Sequence, residues 1–252
     1  PIARLFSPPG GRASPHLSTK VEKPLYRVTR WYIMNLKQAE QKVGGLSQPS
    51  KMPSYGWSIS AKRCNTGSKL AKVKGSVCYN CYALKGRYMF NTTQNALDRR
   101  FNAWNDDRES FIKAMIFIMH NKQHIINTGV FRWFDSGDLQ GIDMLTDINR
   151  IAKATPHVKH WVPTKEYNLI KNHNLDIAYN LTIRVSTPSR NKSFKGCYDY
   201  VSAVFDTKVN IDHPLSVAKD SYMCPAPKQN NECGSCRACW DKSVEEVVYK
   251  AH

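Results

Sequence analysis

From about residue 55 the chain alternates short apolar runs with longer amphipathic stretches. YGWSISA (55–61) reads as a strand running into Cys64, and VFRWF (130–134), HVKHWVP (157–163), LTIRVS (181–186) and YVSAVF (200–205) read as further strands. Between them NTTQNALDRRFNAWN (91–105) has a helical pattern, and RESFIKAMIFIMH follows Asp106 or Asp107, either of which suits an N-cap. LQGIDMLTDINRIAKA is an amphipathic helix that stops at Thr155-Pro156, and YNLIKNH is a short helix before the fourth strand. Strands alternating with helices predict an α/β fold with a mainly parallel sheet. Roughly five strands make a partial (βα) barrel rather than a complete one.

In such folds the chemistry collects in the loops that follow the strands. Those positions here carry Cys64, the turn Asp135-Ser136-Gly137-Asp138, Thr164-Lys165, Arg184 with Ser186, and Asp206. Upstream, residues 1–25 are rich in Pro, Gly and Ser and read as a flexible basic arm. RVTRWYIMNL then starts a strand or helix, and GGLSQPSKMPS is a loop. The expected organisation is an arm (1–25), an α/β body (26–215) and a cysteine-rich C-terminal region (216–252).

Cysteines change the picture most. Cys64, Cys78 and Cys81 form one group, and Cys224, Cys233, Cys236 and Cys239 a second. Disulfides are disfavoured by the chain's size, its tight CxxC spacings and the absence of a secretory pattern, which point to a reducing cytoplasm. Thiolates in these patterns suit iron–sulfur clusters and zinc. A three-thiolate shell leaves one position open, so Cys64, Cys78 and Cys81 can hold a 4Fe–4S cluster by three irons, the fourth being free for a chelator. The second group, CP-x7-C-x2-C-x2-C, has the ligation style of bacterial ferredoxins, with structural zinc as the alternative. Cys197, in FKGCYDY, is left over, as a buried small hydrophobe or a substrate-facing thiol.

The formal net charge of +17 favours an anionic partner, DNA, RNA or a phosphate-bearing substrate, over a merely solvated surface. No apolar run is long enough to span a membrane; FIKAMIFIMH is short and broken by Lys113. The eight histidines form no metal-binding pattern, and His157 and His160 merely flank a strand. Trp31, Trp57, Trp133, Trp161 and Trp240 read as core or rim packing.

The cysteine loop after the first strand resembles that of the radical S-adenosylmethionine (SAM) enzymes, although the common spacing there is CxxxCxxC and the first gap here is 13 residues. CYNCYALKGRY, FRWFDSGDLQ, WVPTKE, IRVSTPS and CGSCRACW resemble the bacteriophage proteins of the "gene product 88" type across roughly residues 55–250. The resemblance implies a radical SAM-like enzyme in a host cytoplasm, SAM bound at the open cluster, and a reductase or ferredoxin as electron donor. It also implies that the turn Asp135-Ser136-Gly137-Asp138 meets the amino group of SAM, where the family's usual turn is Gly-Gly-Glu-like. Asp138 or Ser136 is equally suited to cap the helix that follows. Thr164, Lys165, Arg184 and Ser186 are implied contacts to carboxylate or ribose, with structural ion pairing as the alternative. A non-catalytic, metal-stabilised nucleic-acid-binding protein is the other reading of the same residues.

Overall fold

The computed structural model describes residues 34–206 and 221–251. The arm, Trp31, most of RVTRWYIMNL and the boundary near residue 215 lie outside them. Among the described residues seven strands form one sheet: β1 (Gly56–Trp57), β2 (Val130–Trp133), β3 (Lys159–Thr164), β4 (Leu181–Ser186), β5 (Val201–Phe205), β6 (Tyr222–Met223) and β7 (Glu246–Lys250). Their order is β1-β2-β3-β4-β5-β7-β6, and every neighbouring pair is parallel. The sheet is open, with β1 at one edge and β6 at the other.

The expected parallel α/β architecture is present, with two strands more than the five read from the sequence. Both come from the C-terminal cysteine region, and β7 inserts between β5 and β6. That region is therefore woven into the sheet rather than appended to it. At the other edge YGWSISA yields only the two residues of β1. The reason is local: Ser58 Oγ accepts from the amide of Asp135, and Ser60 Oγ donates to Gln94. These polar side chains tie the segment to turns instead of lengthening the ladder.

Seven helices accompany the sheet among the described residues: α1 (Leu36–Lys42), α2 (Asn65–Leu70), α3 (Asn91–Asp106), α4 (Arg108–Asn121), α5 (Gln123–Thr128), α6 (Ile142–Ala154) and α7 (Tyr167–Asn172). Asp107 caps α4 by accepting from Ser110 N at 3.0 Å, as one of the two expected caps. The stripe Met144, Leu145, Ile148, Ile151 and Ala152 turns α6 inward. There it joins Phe111, Met115 and Ile118 of α4 and Phe131, Trp133, Val162 and Leu181 of the strands in the main core. Asp147, buried in α6, is held by Trp104 Nε1 at 2.9 Å and by Arg108 at 2.7 Å. No helix among the described residues is long and apolar enough to cross a membrane.

A parallel sheet needs both faces covered. The face opposite α4 and α6 carries Val130, Trp161, Thr182 and Arg184, and the C-terminal cysteine segment lies against it. Trp240 meets Trp161 edge-on at 5.2 Å, donates to Phe131 O, and accepts at its own carbonyl from Thr182. Trp57, Trp133, Trp161 and Trp240 are all buried, as core packing requires. His160 is buried with both ring nitrogens engaged: Trp133 Nε1 donates to its Nδ1, and its Nε2 faces Thr155 Oγ1 at 2.9 Å. Cys197 is exposed, which rules out a buried small hydrophobe there.

Candidate functional site

The C-terminal ends of β1, β2 and β3 converge on one polar rim. Cys64 follows the end of β1 and caps the start of α2, while Cys78 and Cys81 return after an excursion. Gly67 is what lets them approach. A Cβ at that position would stand 3.6 Å from Cys64 Sγ and 3.8 Å from Cys78 Sγ, and only 3.1 Å from Cys64 Cβ. A side chain there would fill the hollow between the two thiols.

The rim holds the excursion firmly. Glu166, just past β3, accepts from Thr66 N and Thr66 Oγ1, both at 3.0 Å, and so fixes the turn after Cys64. Val77 N donates to Pro188 O, Ser76 bridges Ser189, and Arg190 N donates to Gly75 O, which anchors the far end to the loop after β4. Tyr82 and Tyr88, both after Cys81, donate to Asp135 O and Asp135 Oδ2 respectively.

Electrostatics define what the rim lacks. Burial pushes the Cys64 thiol up to about 12, helped by the negative charges of Asp138, Cys81, Cys78 and Glu166. Cys78 is also raised, first by burial, although the ammonium of Lys165 pulls the other way. Thiols so placed stay protonated unless a cation compensates them, and metal ligation supplies that compensation. Among the described residues no group of three or more His, Cys, Asp or Glu side chains is placed to hold a metal ion.

The turn after β2 is built by Gly137. Its φ is +81°, and a Cβ would lie 2.4 Å from Ile59 Cγ1 and 2.7 Å from Ile59 O. Only glycine fits, so the turn presses against the end of β1, and Ser136 Oγ locks it by donating to Ile59 O. Asp138 is buried and fully engaged. It accepts from Thr164 Oγ1 at 2.6 Å, from Leu139 N and from Lys165 N, each at 2.8 Å. Burial nevertheless pushes it up to about 6. The helix-cap expectation for Asp138 or Ser136 fails, because α6 starts later, after Gly141, with no side-chain cap.

The sequence-read residues thus divide. Cys64, Cys78, Cys81, Asp138, Thr164 and Lys165 come together, with Asp135, Ser136 and Gly137 beside them. Ser186 lies one strand over, where its carbonyl accepts from Tyr167 and its hydroxyl pairs with Ser202. Arg184 belongs to the other cysteine group. Its guanidinium donates to the carbonyls of Cys239, Val201, Glu245, Ala238, Asp241 and Val244. Glu166, Tyr82, Tyr88 and Gly67 complete the rim and were not singled out from the sequence. For the two tyrosines and Gly67, the only signal was closeness to a cysteine.

In the C-terminal group Cys239 Sγ lies 3.1 Å from Tyr249 OH, Cys236 Sγ 3.4 Å from Tyr222 OH, and Cys233 Sγ 3.8 Å from Met52 Sδ. Burial raises Cys224, Cys233 and Cys239, the last to about 11, and neighbouring thiols add to each. Arg132 stands between the two groups, its guanidinium over the Trp161 ring and one nitrogen 3.6 Å from Met52 Sδ.

Neither a curated protein nor a solved structure matches the chain. A family model described as Gene product 88 matches residues 31–242, and the chain belongs to that family.

Proposed function

We propose that the rim is the centre of a radical SAM-type enzyme, with Cys64, Cys78 and Cys81 holding a 4Fe–4S cluster by three irons. The observation that carries this reading is the closeness of Cys64, Cys78 and Cys81 after β1, with Gly67 packed against Cys64 and Cys78 and the ammonium of Lys165 near Cys78. When bound, such a cluster and SAM together supply a 5′-deoxyadenosyl radical for hydrogen abstraction. In this reading Lys165 meets the SAM carboxylate, and Asp138 is a positioning residue that holds the Lys165 backbone. Asp135 is the carboxylate for the SAM ammonium, since one of its oxygens has only a 3.4 Å contact to Ser47. Thr164 positions Asp138 and Glu166 through its hydroxyl, and Ser186 is paired with Ser202. Arg184 drops out of the cofactor set, because every donor it has is already used. The C-terminal cysteines are assigned a second cluster or a structural zinc, and an external reductase or ferredoxin the electron. The basic chain favours a nucleic acid or nucleotide as substrate.

The test is anaerobic reconstitution, with iron and sulfide analysis and electron paramagnetic resonance with and without SAM. About four irons per chain are expected from the rim, or about eight if both groups take clusters. SAM should perturb the reduced spectrum and release 5′-deoxyadenosine, and Cys78→Ala should abolish both effects. A protein that takes up only zinc, or a cluster spectrum that ignores SAM, leaves the metal-stabilised nucleic-acid-binding protein as the surviving reading.

A further inference from the structure

Residues 41–97 contain nine lysines and arginines and no aspartate or glutamate, although the chain has 20 acidic residues. Lys69, Lys72, Lys74, Lys85 and Arg87 in this stretch are exposed. None of these five forms an ion pair among the described residues. Aromatic rings are interleaved with them: Tyr79, Tyr82 and Phe90 are 45%, 57% and 60% exposed. Tyr82 turns its hydroxyl in to Asp135 O and leaves its ring outward. The contacts of Thr66, Gly75, Ser76, Val77 and Tyr88 described above pin this surface at several points, so the rings and cations stand on a fixed platform.

We propose that this basic, ring-bearing surface beside the three-cysteine rim binds a single-stranded nucleic acid. Unpaired cations track a phosphate backbone, and separated, outward rings stack on unpaired bases, which a duplex keeps inside. Val73 and Met89 are exposed in the same stretch, so phosphatidylserine vesicles are set against the oligonucleotide in the test. The inference names the substrate class of the proposed enzyme and rests on that reading for catalysis, though not for binding.

The experiment is fluorescence anisotropy on the full chain, with a labelled single-stranded oligonucleotide, the matching duplex, and phosphatidylserine vesicles as probes. Single strand should bind more tightly than duplex. K69E/K72E/K74E should lower the slope of log K against log salt by about 2, at about 0.7 per phosphate contact. Tyr79→Ala with Phe90→Ala should weaken binding about tenfold at unchanged slope. These side chains are exposed, and circular dichroism melting confirms that the variants fold. Equal or tighter duplex binding, indifference to both variants, or partition onto vesicles in place of the oligonucleotide would overturn the proposal. Iron uptake and SAM cleavage, read on the same samples, keep the two readings apart. Iron and SAM activity without single-strand binding removes only the docking surface, whereas single-strand binding without iron removes only the cluster.

Discussion

Replacing Arg184 by methionine tests whether this residue is structural or belongs to a cofactor site. The side chain is fully buried and its donors reach six carbonyls, at 2.8 to 3.4 Å, five of them in the C-terminal segment from Ala238 to Glu245. Methionine preserves most of the volume and removes every donor. A buried acceptor left without a partner costs about 1–3 kcal/mol, but several of these carbonyls sit in turns that can open to water. Charging all six at the full rate would match the total stability of an ordinary domain. About two carbonyls left without a partner, a loss of about 2–6 kcal/mol, is the better expectation. Urea unfolding followed by far-ultraviolet circular dichroism should show a midpoint shift of that size, and Arg184→Lys should recover little of it. The cysteines of the C-terminal segment should also become more reactive toward a thiol reagent before global unfolding. A loss below about 1 kcal/mol, together with weakened SAM binding, would refute this reasoning and return Arg184 to the cofactor site.

Burial holds the His160 imidazole down to about 3, so the folded state resists a proton that the unfolded chain accepts near 6.5. Its stability contribution is complete above about pH 6.5 and falls as pH drops below that, by about 2 kcal/mol at pH 5; His160→Gln should flatten that part of the urea-midpoint profile. Gly137→Ala adds a Cβ 2.4 Å from Ile59 Cγ1 at a φ of +81°, and thermal melting should show a loss of about 2–4 kcal/mol. An unchanged melting temperature would mean that the β1 end yields freely. Anaerobic metal loading should protect Cys64, Cys78 and Cys81 from iodoacetamide, and chelation should remove that protection, while the exposed Cys197 is labelled in both states. Equal labelling of the rim thiols before and after chelation, read by peptide mass spectrometry, would deny them a metal.

What could be read from the sequence followed periodicity. VFRWF, HVKHWVP and LTIRVS became β2, β3 and β4 within two residues at each end, because central parallel strands are apolar on both faces and stand out as runs. The edge was illegible for the opposite reason: β1 is two residues long, and the serines that follow it bond to turns. β7 was missed because EVVYK follows a cysteine-rich stretch that drew attention to its ligands. At the site, Asp138, Thr164 and Lys165 were all read from the sequence, but their bonds to one another were not. No local pattern tells that a carboxylate after β2 will be saturated by Thr164 and Lys165 of the next strand. Arg184 is no easier to read, for the same reason. A basic residue in a strand reads alike whether its guanidinium meets a ligand or a ring of carbonyls from sequence more than 50 residues away.

The two cysteine groups are held by different forces, and that difference assigns them different work. The C-terminal group rides on a segment that covers a whole sheet face through Trp240, Thr182 and Arg184, so its order and that of the sheet stand or fall together. The three-cysteine excursion is tied by polar contacts at strand ends and the loops after them: Glu166 to Thr66, Tyr82 and Tyr88 to Asp135, and Gly75, Ser76 and Val77 to the loop after β4. Removing it would leave the core of α4, α6 and the strands intact. A segment whose loss costs the fold is read as structure. A segment pinned in place at the open rim, without contributing to the core, is free to be shaped by what it binds. With Trp240 and its neighbours covering the face opposite the helices, a large substrate of the proposed enzyme would reach Cys64, Cys78 and Cys81 from above the strand ends, across Tyr79, Tyr82 and Phe90.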